Sequence, residues 1–372
     1  MSVSYGGDSI TFADSSTLSS GWTGFKNRII NGAMTIDQRN GGNSVSVGTA
    51  SGTYTLDRWR LYHDTAITSN ITAQQSAIVP TTGYINSQIL TNGTGASPGS
   101  SDFNAIQQRI EGYNVADLNF GSSTASTVTL SFWVRSSLTG TFGVGLLNGN
   151  QDRSVASTYT INSANTWEQK TITLSGDQSG TWITNNGIGL IVNFDLGSGT
   201  TSNATTAGTW QAGRVLRTSA CTNFIGTTGA TWYITGVQLE RGSTASSFEY
   251  RDIASELVRC QRYCYVTRYS KTNSHNYLST GVASSATGAR IHYLLPVELR
   301  SSPGTFTVSS VGHYYFNNMG PGGGTCTSIS LLTADERHMR IEVGGMSGMT
   351  AGYSGEFYSN SSSAYLRFDA EL

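Results

Sequence analysis

The 372-residue sequence predicts an all-β protein, and three observations carry that prediction. Charged residues are only 12% of the chain, about half the roughly one quarter common in soluble domains. The 44 glycines, few prolines and abundant Ser, Thr and Asn leave too little Ala, Glu, Lys, Leu and Arg for a helical bundle or coiled coil. Apolar and polar residues alternate in short runs broken by Gly, Asn and Ser, the pattern of a sandwich or barrel. Disorder is disfavoured, because 37% hydrophobic and 10% aromatic residues suffice for a core, and the glycines lack the period of collagen.

The length allows two or three domains. Residues 1–26 are short, Ser/Gly-rich and carry one strand-like run at Ser9–Phe12, which reads as an arm that orders against a partner. From Asn27 onward come runs of strand length: Thr127–Val134, Thr141–Leu147, Thr166–Leu174, Ile188–Phe194 and Thr231–Leu239. In the first, Val128, Leu130, Phe132 and Val134 alternate with Thr129, Ser131 and Trp133, so one face is core and Trp133 lies on the other. The polar connection Gly197–Gly213 is long enough to suggest function or mobility. Asp252–Cys264 is the one convincing helix, capped by Asp252 or Ser255. Its residues Ile253, Leu257, Cys260 and Cys264 recur at heptad-like spacing, a stripe that suits either a symmetric axis between identical chains or packing on the chain's own sandwich. Residues 265–372 return to short β runs, including Arg290–Pro296, Thr305–Val311, Met339–Val343, Gly355–Tyr358 and Ala364–Ala370, which make a second, smaller β domain.

Composition and motifs exclude several function classes. A net charge of -1 gives no electrostatic footprint for nucleic acid or an anionic membrane. The longest apolar stretches, such as Gly187–Phe194, are too short to span a bilayer, no signal-peptide pattern opens the chain, and synthesis in a cytoplasm is expected. The four cysteines are too few and scattered for a disulfide scaffold, and the five histidines never fall at ligand spacing. No nucleophile elbow, phosphate loop or zinc-protease motif occurs. A glycosidase needs two carboxylates about 5 to 9.5 Å apart, and the pairs Asp57 with Asp64 and Asp102 with Glu111 carry no motif that sets them apart. No catalytic residue and no cofactor is therefore expected. The oxygen-rich runs Asn148–Arg153 and Asn193–Gly199 are compatible with a structural Ca²⁺.

The chain does carry aromatic residues in polar surroundings. Trp182 and Trp210 lie in loop-like sequence, and His313, Tyr314, Tyr315 and Phe316 precede the glycine-rich Gly320–Gly324, with Tyr353 and Tyr358 further on. Sugars lay C–H faces on aromatic rings while neutral amides and hydroxyls bond their hydroxyls, so these eight residues are the expected glycan contacts.

Four blocks add a resemblance: KNRIINGAMTIDQRNGG from Lys26, YTLDRWRLY from Tyr54, VTLSFWVRSSLTGTFGVGL from Val128, and WYITGVQLERGSTASSFEYRDIASELVRCQRYC from Trp232. In order and spacing they resemble tail-fibre and receptor-binding proteins of tailed bacteriophages, especially marine and cyanobacterial ones. The terminal LRFDAEL also looks like the last strand of phage fibre tips. The resemblance implies a jelly-roll β-sandwich like that of carbohydrate-binding modules over 27–250, a trimerising helix over 251–264 and a receptor-binding tip over 265–372. It further implies a homotrimer in the virion, attached to other tail or baseplate proteins through 1–26 and binding a host-surface glycan or protein receptor. The rivals are a polysaccharide-depolymerising tailspike and a purely architectural decoration protein. Ser247 stands where such chains usually have Pro, and Cys264 where they have an aromatic.

Overall fold

A computed structural model describes residues 4–6, 9–11, 17–19, 25–47, 52–63, 71–80, 83–267 and 276–372. The expected N-terminal arm lies largely outside these residues. Its described part is a small antiparallel meander of β1 (Ser4–Gly6), β2 (Ser9–Thr11) and β3 (Thr17–Ser19).

Thirteen strands then form two facing antiparallel sheets. They are β4 (Val45–Val47), β5 (Thr53–Leu56), β6 (Trp59–His63), β7 (Ile71–Ser76), β8 (Ser87–Asn92), β9 (Asn104–Glu111), β10 (Val128–Ser136), β11 (Gly140–Asn148), β12 (Arg153–Ile161), β13 (Glu168–Leu174), β14 (Ile188–Asp195), β15 (Gln211–Ala212) and β16 (Thr231–Arg241). One sheet runs β13-β10-β16-β8-β7-β4 and the other β15-β12-β11-β14-β9-β6-β5, the all-β sandwich expected from the alternation. Val128, Leu130, Phe132 and Val134 are buried between the sheets, while Trp133 stands half-exposed on the opposite face. Aromatic rings fill the middle, with Phe132 edge-on to Phe194 and Tyr159 at centroid distances of 5.0 and 5.1 Å. Trp59 and Trp232 are fully buried in the same core.

The helix α1 is shorter than expected, Ile253–Gln261, and Asp252 caps it by accepting a 3.0 Å hydrogen bond from the Ser255 N–H. It stops because Cys264 already belongs to β17 (Cys264–Val266), paired with the end of the chain. This corrects the symmetric-axis reading of the stripe. Cys260 and Cys264 are fully buried inside their own chain, and Leu257 and Cys260 pack with Tyr263 on Ile30 and Ile36. Of the four stripe residues only Ile253, 61% exposed, faces outward.

The remaining strands are β18 (Asn276–Ala283), β19 (Gly288–Leu294), β20 (Thr305–Val308), β21 (Tyr314–Asn318), β22 (Gly323–Thr325), β23 (Ser328–Ala334), β24 (His338–Gly344), β25 (Ser354–Ser359) and β26 (Leu366–Asp369). A small sheet, β17-β26-β20, packs Leu366, Phe368 and Phe306 onto a seven-stranded sheet ordered β22-β21-β25-β18-β19-β24-β23. The inner face of the large sheet is apolar, with Ile291, Tyr293, Tyr314, Phe316, Met339, Ile341 and Phe357 buried. Its outer face therefore carries every second residue.

The chain's end clamps this smaller unit to the sandwich. Arg39 lies 2.5 Å from Asp369 and 3.0 Å from Glu371, and Arg58 pairs with Glu371 while its guanidinium lies 3.5 Å over the Tyr263 ring. Arg262 and the Tyr263 hydroxyl both donate to Glu111, at 2.7 Å each for the shortest contacts. Arg300 donates to the Ala370 and Asn186 carbonyls, bridging the two units at 2.8 and 2.9 Å.

Candidate carbohydrate interface

The outer face of the seven-stranded sheet is built by register. Tyr277 on β18 sits opposite Tyr358 on β25, which sits opposite Tyr315 on β21, so three tyrosines cross three adjacent strands in one row. Two residues along, Thr280, Glu356 and Asn317 form a second row in the same register. A bulge between Tyr277 and Ser279 is what brings Tyr277 to the outer face, since Leu278 turns toward the core. The rows lie ~7 Å apart along the strands, and neighbours within a row ~4.8 Å apart.

The aromatic row has defined geometry. Tyr315 and Tyr358 are offset-stacked, with centroids 5.2 Å apart and planes inclined by 25°, so their rings stand side by side. Tyr277, 59% exposed, is the most open ring of the three. Burial, with Tyr315 and the Glu356 carboxylate close by, raises the Tyr358 phenol above its ordinary pKa. Among the described residues, no side-chain hydrogen bond engages Thr280, Glu356 or Asn317, and these groups face solvent beside the rings.

The eight expected contact residues do not come together. Tyr315 and Tyr358 share the row. Tyr314 and Phe316 are corrected from contacts to core: strand alternation points both inward, and Tyr314 stacks on Phe357 at 5.5 Å with planes 17° apart. His313 ends the single turn before β21, its Nδ1 3.1 Å from the Ser309 hydroxyl. Tyr353, 47% exposed, lies at the far end of β25 with its ring against Gly320, where an added Cβ would come within 2.6 Å of a ring carbon. Trp182 and Trp210 belong to the sandwich and form a cluster with Phe120, at centroid distances of 4.7 and 5.7 Å from it and 5.4 Å from each other. Their indole N–H groups donate to the Ser179 and Ser175 carbonyls, and a cleft of about 210 Å³ opens beside Phe120 and Trp182.

Sequence reasoning missed Tyr277, because the first strand it recognised after the helix was Arg290–Pro296. The alternation in NYLSTGVA was the available signal, masked by the bulge.

The acids weighed for glycoside cleavage have structural partners. Asp57 accepts from the Gln38 backbone and side chain at 2.6 Å each, Asp102 from the Gly99 N–H at 2.7 Å, and Glu111 from Arg262 and Tyr263. Asp64 lies outside the described residues. In the two oxygen-rich runs, Asn148 is tied to Asp152 and Arg153, and Asp195 lies 3.3 Å from Arg217. Among the described residues no three His, Cys, Asp or Glu side chains gather as a metal site.

No family model matches the sequence, and no curated protein matches it. Solved structures similar to it include the enzymatically active domain of bacteriophage CBA120 tailspike protein 4, at 13% identity and a TM-score of 0.30, with 60% of this chain and 23% of that one covered. The chain thus spans under a quarter of the tailspike domain. Another is TmCBM61 in complex with β-1,4-galactotriose, at 11% identity and a TM-score of 0.28, covering 58% and 99% of the two chains. A third is the family 11 carbohydrate-binding module of Clostridium thermocellum in complex with a mixed-linked tetrasaccharide, at 10% identity and a TM-score of 0.27, covering 56% and 98%.

Proposed function

We propose that this chain is a receptor-binding structural protein of a tailed-phage virion, which attaches to a host-surface glycan through the outer face of its C-terminal sheet and performs no chemistry on it. The observation that carries the reading is the tyrosine row in register beside the unpaired Thr280, Glu356 and Asn317. Open aromatic rings bordered by uncommitted hydrogen-bonding groups suit a sugar, which has both C–H faces and hydroxyls. The resemblance of four sequence blocks to phage fibre proteins supports the virion setting.

Binding of the full chain to immobilised bacterial surface polysaccharides, followed by titration with the oligosaccharide released from the best one, tests this. Tyr277→Ala removes an exposed ring and is expected to weaken binding about tenfold, ~1.4 kcal/mol, with the folded state unchanged. No new reducing ends are expected during incubation. Equal binding by the variant, or sustained release of reducing ends, would overturn the reading.

Weak sugar contacts gain from repetition, since linked sites see a high effective concentration. We infer that three copies associate through the exposed apolar side chains Ile85, Tyr250, Ile253 and Val258, beside a cleft of about 230 Å³ walled by Tyr84 and Phe248. Light scattering of the full chain is expected to give three times the chain mass, and Ile253→Glu to lower it. A monomeric native chain would refute the association.

A further inference from the structure

The second row continues beyond the tyrosines. Thr280 lies level with His292 on β19, because Gly281 pairs with Ile291 and Val282 with Arg290, and His292 pairs with Arg340 on β24. Asn317, Glu356, Thr280, His292 and Arg340 thus form one polar track across five adjacent strands, on the face opposite the buried Ile291, Met339 and Ile341. Four strand spacings make it ~19 Å long. Its charge is polarised, with the Glu356 carboxylate near one end and the Arg340 guanidinium at the other.

Arg340 is the anomaly on this track. Among the described residues no ion pair or side-chain hydrogen bond engages it, and its Nε is buried without a partner. The neighbouring Arg290 is answered by Glu342 at 3.9 Å, so the local acid is already shared. A guanidinium presents a planar fork of donors that matches a carboxylate in bidentate fashion, and a half-buried one without an anion leaves that capacity unused.

We propose that the glycan is acidic, and that Arg340 takes a sugar carboxylate while the same saccharide chain reaches Tyr277. Two strand spacings across and two residues along separate the two side chains, ~12 Å, which is about two pyranose rings. This inference rests on the reading of the tyrosine row as a sugar contact.

The test uses the full chain with defined probes: tetramers of galacturonate, mannuronate and guluronate and a hyaluronan tetrasaccharide, each beside its methyl ester, which keeps the backbone and removes the charge. At least one acid is expected to bind about tenfold or more tighter than its ester. That preference should vanish in Arg340→Gln and in high salt, while Tyr277→Ala weakens acid and ester alike. Near-ultraviolet circular dichroism checks that both variants keep the native fold, and Arg290→Gln, on the same face, serves as a control that retains the preference. Acid and ester binding equally, with the Tyr277 dependence intact, would overturn the acidic-glycan inference and leave the sugar-binding reading standing. Failure of every probe to bind, or binding indifferent to Tyr277→Ala, would overturn both.

Discussion

Glu371→Gln is expected to destabilise the folded chain by ~3–5 kcal/mol, because it strands a fully buried arginine. Arg58 sits in the two-residue turn between β5 and β6 with φ 69°, a left-handed conformation that disfavours a residue with a Cβ. That turn drives its side chain inward, where the Tyr263 ring, the Arg109 carbonyl and the Glu371 carboxylate surround it. The ring and the carbonyl remain after substitution, but neither replaces a negative charge. Arg39 fares better, since it keeps Asp369 at 2.5 Å. Denaturant unfolding measures the loss as a lower midpoint. The paired substitution Arg58→Met with Glu371→Met should cost less than Glu371→Gln alone, since removing both charges removes the desolvation penalty with them. A loss below about 1 kcal/mol for Glu371→Gln would show that the clamp is not formed in solution.

The same contrast, local pattern against distant pairing, separates what the sequence disclosed from what it hid. Thr127–Val134 reads directly as a half-buried strand because its alternation is a property of eight consecutive residues. The Asp252 cap is equally local. Nothing local says that residue 58 will meet residue 371, and the helix stripe was ambiguous for that reason: Cys260 and Cys264 are apolar at the right spacing, but the surface that covers them comes from Ile30, Ile36 and the final strand. The HYYF run was legible in part. Period-two alternation applied to it already divides Tyr315 from Tyr314 and Phe316, whereas treating it as a loop merged them. Tyr277 required the register of β18 against β25 across some eighty residues of sequence, with a bulge between, which periodicity cannot supply. Arg340 was invisible because its interest lies in lacking a partner.

Stability is expected to fall as pH rises from about 4 to about 7, with Asp57 the principal group and the buried Asp195 carboxyl, also raised by desolvation, acting in the same sense. Complete burial pushes its carboxyl up from 3.8 to about 7. Arg39 and the two Gln38 donors oppose that shift, while the Glu371 carboxylate adds to it. The folded pKa exceeds the unfolded one, so between the two values the native chain holds a proton that the unfolded chain has released. The stabilisation is complete below pH 4 and is lost as pH climbs through 7. A gap of about three units corresponds to ~4 kcal/mol. Two other carboxylates work in the opposite sense. Burial alone would raise Glu111, yet hydrogen bonds from Arg262 and Tyr263 outweigh it and lower its pKa. Desolvation likewise pushes Glu168 upward, but Lys170 and the Ser163 and Asn162 donors together outweigh it and draw the carboxyl down to about 2. Their contributions are present above the unfolded carboxylate value and disappear as pH falls below it. Unfolding free energy should therefore peak near pH 4 to 5, decline toward neutrality by a few kcal/mol, and collapse in stronger acid. Asp57→Asn, which keeps the shape and cannot ionise, should flatten the neutral limb while leaving the acid limb in place. An Asp57→Asn chain whose stability still falls between pH 5 and pH 8 as steeply as the native one would assign that slope to another group.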